Sequence, residues 1–434
     1  MNVSIRESKL FRIGGGRAAY VLIICSLLRA ISYADWQVMS VVLQPMKVDL
    51  GLSDFEAGIV NTAFFIGIIV FTLPVAHLVD RWSRKKMIGL MAIAWSLFTI
   101  ATGAVSGFAT LLGARFGVGV GEAGFGPGGT ALVAASYPEH KRGQKLGIFN
   151  VFITVGVIFG VVAGGYLSAN HGGWRTPFYV FGIPGVVLGL MAFWMQDYRL
   201  ERTDGKAYVH GSFMNNLKQL FGIPSLRWLS LGLGMYAVLQ ISVGTWFPSL
   251  LIRAYGIKED KAGLVMGIVT IIGLAGPILG GVIADRWQAR FPGGRMRLAA
   301  VSIAIASILM WLVLLAAIDL ENRTLMFFCA AMMPLHSIFV GMALPAVAAT
   351  TQDVVPASLK GLAWGAATVA LFLFGGAWGP LLVGSISDYA AGGYRGLALG
   401  LAATGLFGLV ASWMWWVAAR HVDADVVIAR SDAS

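Results

Sequence analysis

Charge is scarce in this chain. Only 12% of its 434 residues are Asp, Glu, Lys or Arg, about half the share usual in soluble domains. Cysteine is nearly absent as well. Cys25 and Cys329 are the two present; both fall inside apolar runs and read as small buried hydrophobes rather than a disulfide framework. The six histidines form no cluster with Cys, Asp or Glu at metal-ligand spacing, so no metal is expected. No Ser/His/Asp set shares a loop, and no phosphate-cradling loop carries its Lys, so neither an enzyme nor a cofactor is expected.

Hydrophobic sequence is what the chain has instead. Apolar residues make up 57% of it, and the mean hydropathy is +0.77. They come in runs of about twenty or more, the length of a membrane span. A cytosolic enzyme, a nucleic-acid binder and a secreted disulfide-stapled domain are thereby excluded. Twelve such segments lie at roughly 17–43, 55–79, 85–105, 107–137, 143–168, 175–196, 226–253, 260–285, 297–319, 323–353, 359–388 and 394–419. The first outruns a signal peptide and has no small-residue cleavage site, so it reads as a retained helix.

The formal net charge of +11 has a topological explanation. With the N-terminus inside, 23 of the 32 Lys and Arg residues fall on cytoplasmic segments and seven on outer ones, leaving Arg29 and Arg115 within spans. That bias places both termini in the cytoplasm. The longest polar stretch, 197–225, divides two six-helix halves, 1–196 and 226–434, the second ending in a short tail. Phe213, Leu217, Leu220 and Phe221 within this linker lie on one helix face, which predicts an amphipathic helix on the inner membrane surface.

The halves repeat. Asp80-Arg81-Trp82 after span two is echoed by Asp285-Arg286-Trp287 after span eight, 205 residues on. Pro138 and Gly143 after span four are echoed by Pro356 and Gly361 after span ten, 218 residues on. A duplicated six-helix unit with a site between its copies at mid-membrane is a transporter architecture.

These residues carry a resemblance. The chain resembles a major facilitator superfamily transporter over essentially its whole length, with Asp80-Arg81 matching the signature of the loop after span two, although His77 stands where a Gly is usual. Tyr33-Ala34-Asp35, the run Arg115 to Gly124, Gly173-Trp174-Arg175 and Gly379-Pro380 resemble the bacterial spinster-like branch and the neighbouring anion:cation symporters for sugar acids. The resemblance implies proton coupling by the acids of spans one and four, and an anion site at the span-four Arg. The branch usually has Arg where this chain has Trp36. Arg29, on the same helix face, would then supply that charge one level deeper, or the substrate is less anionic.

Four charged residues lie well inside spans: Arg29, Asp35, Arg115 and Glu122. Each costs at least about 2.5–3.5 kcal/mol to insert near the bilayer centre, which marks it as a functional candidate. Counted from the outer ends of spans one and four, they form two levels about 10 Å apart. Asp35 is expected opposite Arg115, and Arg29 opposite Glu122. Arg29 and Asp35 point about 120° apart on their helix, so one pair is expected direct and the other looser. Glu122 is the first candidate for proton carrier and Asp35 the second. Arg115 would grip an anionic head or displace the carboxylate's proton. A static ion pair locking helix one to helix four is the alternative.

Further candidates for lining a substrate cavity are Tyr33, Trp36, Asn150, Thr154, Gln240, Trp246 and His336. Asp80, Arg81 and Arg84, with Asp285 and Arg286, are candidates for an inner gate. Gly119-x-Gly121-x-x-Gly124 has the letters of a dinucleotide fingerprint but no preceding strand. Gly156, Gly160 and Gly164 form a close-packing face, and the Gly276–Gly281 run reads as packing and a bend. The expected protein is an all-α membrane transporter of the bacterial inner membrane. It would act as a monomer by alternating access, using protons to move an organic anion or an amphipathic, lipid-like compound such as a lysolipid or sphingoid. A sugar-acid or aromatic-acid symporter and a non-transporting receptor on the same scaffold are the alternatives. Its partners would be the bilayer, protons and the substrate, with no nucleic acid.

Overall fold

The structure, a computed structural model, describes residues 14–197, 213–315, 323–356, 359–390 and 392–431. Among them, all regular elements are helical: α1 (Gly15–Leu50), α2 (Asp54–Arg81), α3 (Arg84–Gly103), α4 (Phe108–Glu122), α5 (Phe125–Ala135), α6 (Glu139–Asn170), α7 (Thr176–Ala192), α8 (Phe213–Gly222), α9 (Pro224–Tyr255), α10 (Glu259–Gly273), α11 (Ala275–Arg290), α12 (Gly294–Leu315), α13 (Arg323–Asp353), α14 (Lys360–Ala370), α15 (Gly379–Tyr389), α16 (Gly393–Ala419) and α17 (Val422–Ser431). Ten stretches are long and apolar enough to cross a membrane. The shorter apolar α7 and the pair α4–α5, parted only at Ala123 and Gly124, complete the twelve expected spans.

Local sequence explains where helices stop, start and break. Gly51, at φ 64°, ends α1 in the left-handed conformation that glycine adopts freely. Ser53 and Glu56 then form a capping box: the Ser53 N–H donates to Glu56 Oε2 at 2.8 Å and the Glu56 N–H to Ser53 Oγ at 3.1 Å. α10 and α11 part at Leu274, just before the Gly276-Pro277 pair, which is the expected bend. A π-helical segment, Leu371–Gly376, joins α14 towards α15.

Two compact units emerge. The described part of the first comprises residues 14–52, 59–197 and 257–267; that of the second comprises 53–58, 213–256 and 268–431. The division expected from the linker alone therefore differs at two short stretches. The first turn of α2 belongs to the second unit because Asp388 accepts hydrogen bonds from the Asp54 and Phe55 N–H groups at 3.1 and 2.7 Å. The first turns of α10 belong to the first unit, where Gly263 packs on the Val161 carbonyl.

In the first unit, Gly156 and Gly160 of α6 let the backbone of α1 approach at Ala30 and Ala34, and Gly164 makes room for the Val38 side chain; a Cβ at Gly160 would stand 2.6 Å from the Ala34 oxygen. This is the expected close-packing face, and it fixes the rotation of α1. Asp35, one residue beyond Ala34 and about 100° round the helix, is thereby aimed at α3 and α4. On α4, a Cβ at Gly121 would stand 2.6 Å from the Trp95 nitrogen of α3, and one at Gly119 would collide with the Phe64 carbonyl of α2. The fingerprint-like glycines serve packing.

Two elements outside the spans add to this picture. The amphipathic helix is present as α8, with Leu220 buried and Phe221 exposed; the rest of that linker, 198–212, lies outside the described residues. The short tail contains a helix, α17. Asp425 there accepts from the Ser225 N–H at the start of α9 at 2.8 Å, and Asp423 accepts from the Gly293 N–H at 3.3 Å. The side chains of Cys329, Asp80 and Arg81 lie outside what the structure describes.

Candidate functional site

The charges expected inside the membrane converge in the first unit. Arg115 on α4 and Asp35 on α1 are fully buried, with Nη1 3.8 Å from Oδ1. The direct pair is therefore Asp35 with Arg115, at the edge of ion-pair range. Its hydrogen bonding is incomplete: none of the three guanidinium nitrogens of Arg115 has a partner, nor does Asp35 Oδ1. Oδ2 of Asp35 accepts from the Thr99 hydroxyl of α3 at 2.5 Å. The Arg115 guanidinium lies over the Phe64 ring, 5.0 Å from its centroid. That cation–π contact offsets about 2 kcal/mol of its desolvation, while the burial of an ion costs several.

Glu122 closes α4 and is half-buried. Its Oε1 has no hydrogen-bond partner; Ser32 faces the carboxylate, and Arg115, Asp35 and Arg29 act on it through space. Arg29 does not form an ion pair with it among the described residues. Its guanidinium instead sits 5.4 Å from the Tyr33 centroid and 5.0 Å from that of Phe149. Arg29 thus turns to aromatic rings instead of pairing with Glu122, the partner expected for it.

An aromatic chain runs beside these charges. Tyr33 and Trp36 of α1 are 5.7 Å apart, Trp36 and Phe65 of α2 are 5.9 Å apart, and Phe65 meets Phe64 at 5.2 Å. Tyr33 and Trp36 are half-exposed. In place of an Arg after Asp35, α1 thus presents an aromatic surface of tilted rings. Asn150 is exposed and Thr154 half-exposed, both on α6.

In the second unit, Gln240 is exposed on α9. Trp246 is fully buried and its indole N–H donates to the Pro380 carbonyl at 3.0 Å. His336 is buried with Nδ1 2.8 Å from the Ala306 oxygen, a bond that ties α13 to α12. Asp285 accepts from Arg295 Nε and Nη2 at 3.0 and 2.8 Å, and Arg295 Nη1 donates to Asp353 at 2.5 Å. Arg286 is exposed, so the partner of Asp285 is Arg295. Arg84 opens α3.

A second buried Asp–Arg pair was not foreseen. Asp54 at the start of α2 is fully buried and accepts from Arg253 of α9 through both oxygens, at 2.5 and 2.8 Å. The Ser387 hydroxyl of α15 donates to the same carboxylate at 2.6 Å. Arg253 carries a signal only as one of the seven outer basic residues, and Asp54 only as the residue after a capping serine. Thr99 carried no signal, because a threonine inside an apolar helix is ordinary.

Comparison with known proteins agrees with this architecture. The chain is 29% identical over 428 residues, 95% of each protein, to an "MFS-type efflux pump" of Mycolicibacterium smegmatis (strain ATCC 700084 / mc(2)155). It is 28% identical over 310 residues, 63% of this chain and 67% of the relative, to the "Probable galactarate/D-glucarate transporter GudP" of Escherichia coli (strain K12). It is 28% identical over 369 residues, 79% and 72%, to the "Probable sphingolipid transporter spinster homolog 2" of Arabidopsis thaliana. Among solved structures, a bacterial homolog of the human lysosomal transporter Spinster shares the fold with a TM-score of 0.82 at 22% identity, over 95% of this chain and 99% of that one. These relatives are membrane transporters and not enzymes, and the bacterial ones fit an inner-membrane location. The model of the Major Facilitator Superfamily matches residues 25–380, and the chain belongs to that superfamily.

Proposed function

We propose that this transporter is a proton-coupled, alternating-access carrier of an organic anion with an apolar body. The observation that carries the reading is Arg115: a fully buried cation whose three nitrogens have no hydrogen-bond partner within the protein. A pair built only to lock two helices would be expected to satisfy those groups, because an unmet buried donor costs about 1–3 kcal/mol. Unmet N–H donors beside a carboxylate suit a site where an anion and a proton exchange places. An anionic head bound by Arg115 would compete with Asp35 for it, and Asp35 or Glu122 would take up a proton as the head arrives. The proton affinity of each carboxyl depends on hydration and on nearby charge, so opening to one side and then the other changes it.

Tyr33 and Trp36 supply an apolar surface where the spinster-like branch usually has Arg, which favours an amphipathic monoanion over a doubly charged sugar acid. The names of the relatives span efflux, sugar-acid and sphingolipid transport, in keeping with a scaffold that keeps an anion site and changes its surroundings. The bias of Lys and Arg places both termini in the cytoplasm, and the carrier acts as a monomer. One proton crossing ~100 mV yields about 2.3 kcal/mol and one pH unit about 1.4 kcal/mol. A neutral cargo moved with one proton draws on both, roughly 500-fold, whereas a monoanion moved with one proton crosses without net charge and draws on the pH gradient alone, about tenfold per pH unit. Uptake into proteoliposomes under an imposed proton gradient tests the reading, with labelled galactarate, an aromatic monocarboxylate and a lysophospholipid, wild type beside Glu122→Gln. Gradient-dependent accumulation of one class, lost in Glu122→Gln, is expected. Equal transport without a gradient, unchanged by the substitution, would refute proton coupling.

A further inference from the structure

We infer that Thr99 is a positioning residue that serves Asp35 in both of its protonation states, so that the carboxyl gains and loses a proton without losing a hydrogen bond. The inference rests on the proposed role of Asp35 in proton coupling. Thr99 Oγ1 lies 2.5 Å from Asp35 Oδ2 and 2.9 Å from the Trp95 carbonyl oxygen. A hydroxyl has one proton to give and two lone pairs to accept with, so it serves one of these acceptors at a time.

With Asp35 ionised, the Thr99 O–H points to Oδ2, and the carboxylate holds a charge-assisted bond. With a proton on Oδ2, the new O–H donates to Thr99 Oγ1. The Thr99 proton then rotates to the Trp95 carbonyl, four residues back on its own helix, an ordinary threonine back-bond. One proton has been added, on Oδ2; the proton of Thr99 has only turned, and no heavy atom has moved. Thr102, Thr350, Thr351 and Thr368 make the same back-bond. Thr99 Oγ1 lies within reach of a back-bond carbonyl and a carboxylate oxygen together.

Other groups around Asp35 leave this duty to Thr99. Arg115 faces Oδ1, at 3.8 Å, and Glu122 acts from the same helix. Arg29 lies on α1 itself, turned to its aromatic partners. α5 and α7 carry no charged residue, α3 carries them only from Arg84 to Lys86, and α6 only from Glu139 to Lys145. Thr99 and Asp35 are both buried to about the same extent, where an unmet O–H or carboxylate oxygen is costly.

The test needs no substrate. The purified full chain in lipid is titrated from acid to alkaline pH while the carboxyl C=O stretch is followed by infrared difference spectroscopy. Asp35→Asn identifies the Asp35 band by removing it. Thr99→Val, close in shape but without the hydroxyl, is expected to displace the midpoint of that band by about one pH unit and to raise its frequency. Thr99→Ser restores the wild-type midpoint, which a packing role of the methyl group would not. A Val midpoint equal to wild type overturns the role of Thr99. A spectrum in which Asp35→Asn removes no titrating band shows instead that Asp35 does not exchange a proton, and the proposed coupling through it fails first.

Discussion

Among the described residues two Asp–Arg pairs are buried, and they are built in opposite ways. Asp54 and Arg253 meet through two short bonds, 2.5 and 2.8 Å, with Ser387 filling a further lone pair. Asp35 and Arg115 stand 3.8 Å apart, with three donors and one acceptor unmet. Both remove two charges from water, a cost that only good geometry and added hydrogen bonds repay. The first pair has that geometry and reads as structure. The second forgoes it, which is the condition for groups that must change partners.

This contrast predicts a separation of stability from transport. The largest effect falls on the satisfied pair: Arg253→Ala strands the Asp54 charge and lowers unfolding stability by about 3–5 kcal/mol. Denaturant unfolding in detergent reads this, and replacing both partners by apolar residues recovers most of the loss. Next, Arg115→Gln lowers proton-driven transport about 100-fold, equivalent to about 2.7 kcal/mol, measured as initial uptake rates in proteoliposomes. Trp36→Arg sharpens the comparison by adding a cation beside the open pair. It shifts preference towards the doubly charged galactarate over an aromatic monocarboxylate by about tenfold, read in competition assays. The smallest effect is at another satisfied acid: Asp425→Ala costs about 1 kcal/mol of stability through the lost cap on α9, with transport rates kept within about twofold.

The sequence carried the fold well, because membrane spans leave long apolar runs and cytoplasmic loops leave basic residues. It carried the close face of α6, since glycines four apart have few other uses in such a helix. The pairing of Asp35 with Arg115 followed from counting depth along two helices. Spacing also indicated that Arg29 and Asp35 could not both face α4. Tertiary context decided the rest. Arg295 was one of several basic residues near the start of α12 until its bonds to Asp285 and Asp353 joined three helices. Trp246 looked like a cavity residue because an amphipathic indole suits one, yet its N–H is used by Pro380. The helix at 422–431 was invisible because its role, capping α9 through Asp425, depends on a partner 200 residues away.

The contrast between the two pairs makes Asp35 the residue to test as an exchanging group against a strut. Asp35→Asn keeps an oxygen for Thr99 and gives up only the long contact to Arg115. Measuring labelled-substrate accumulation under an imposed proton gradient, with the unfolding stability of the same preparation, puts both roles in one experiment. Loss of accumulation with stability within about 1 kcal/mol of wild type is the predicted result. Accumulation equal to wild type, or a stability loss as large as that of Arg253→Ala, would contradict it.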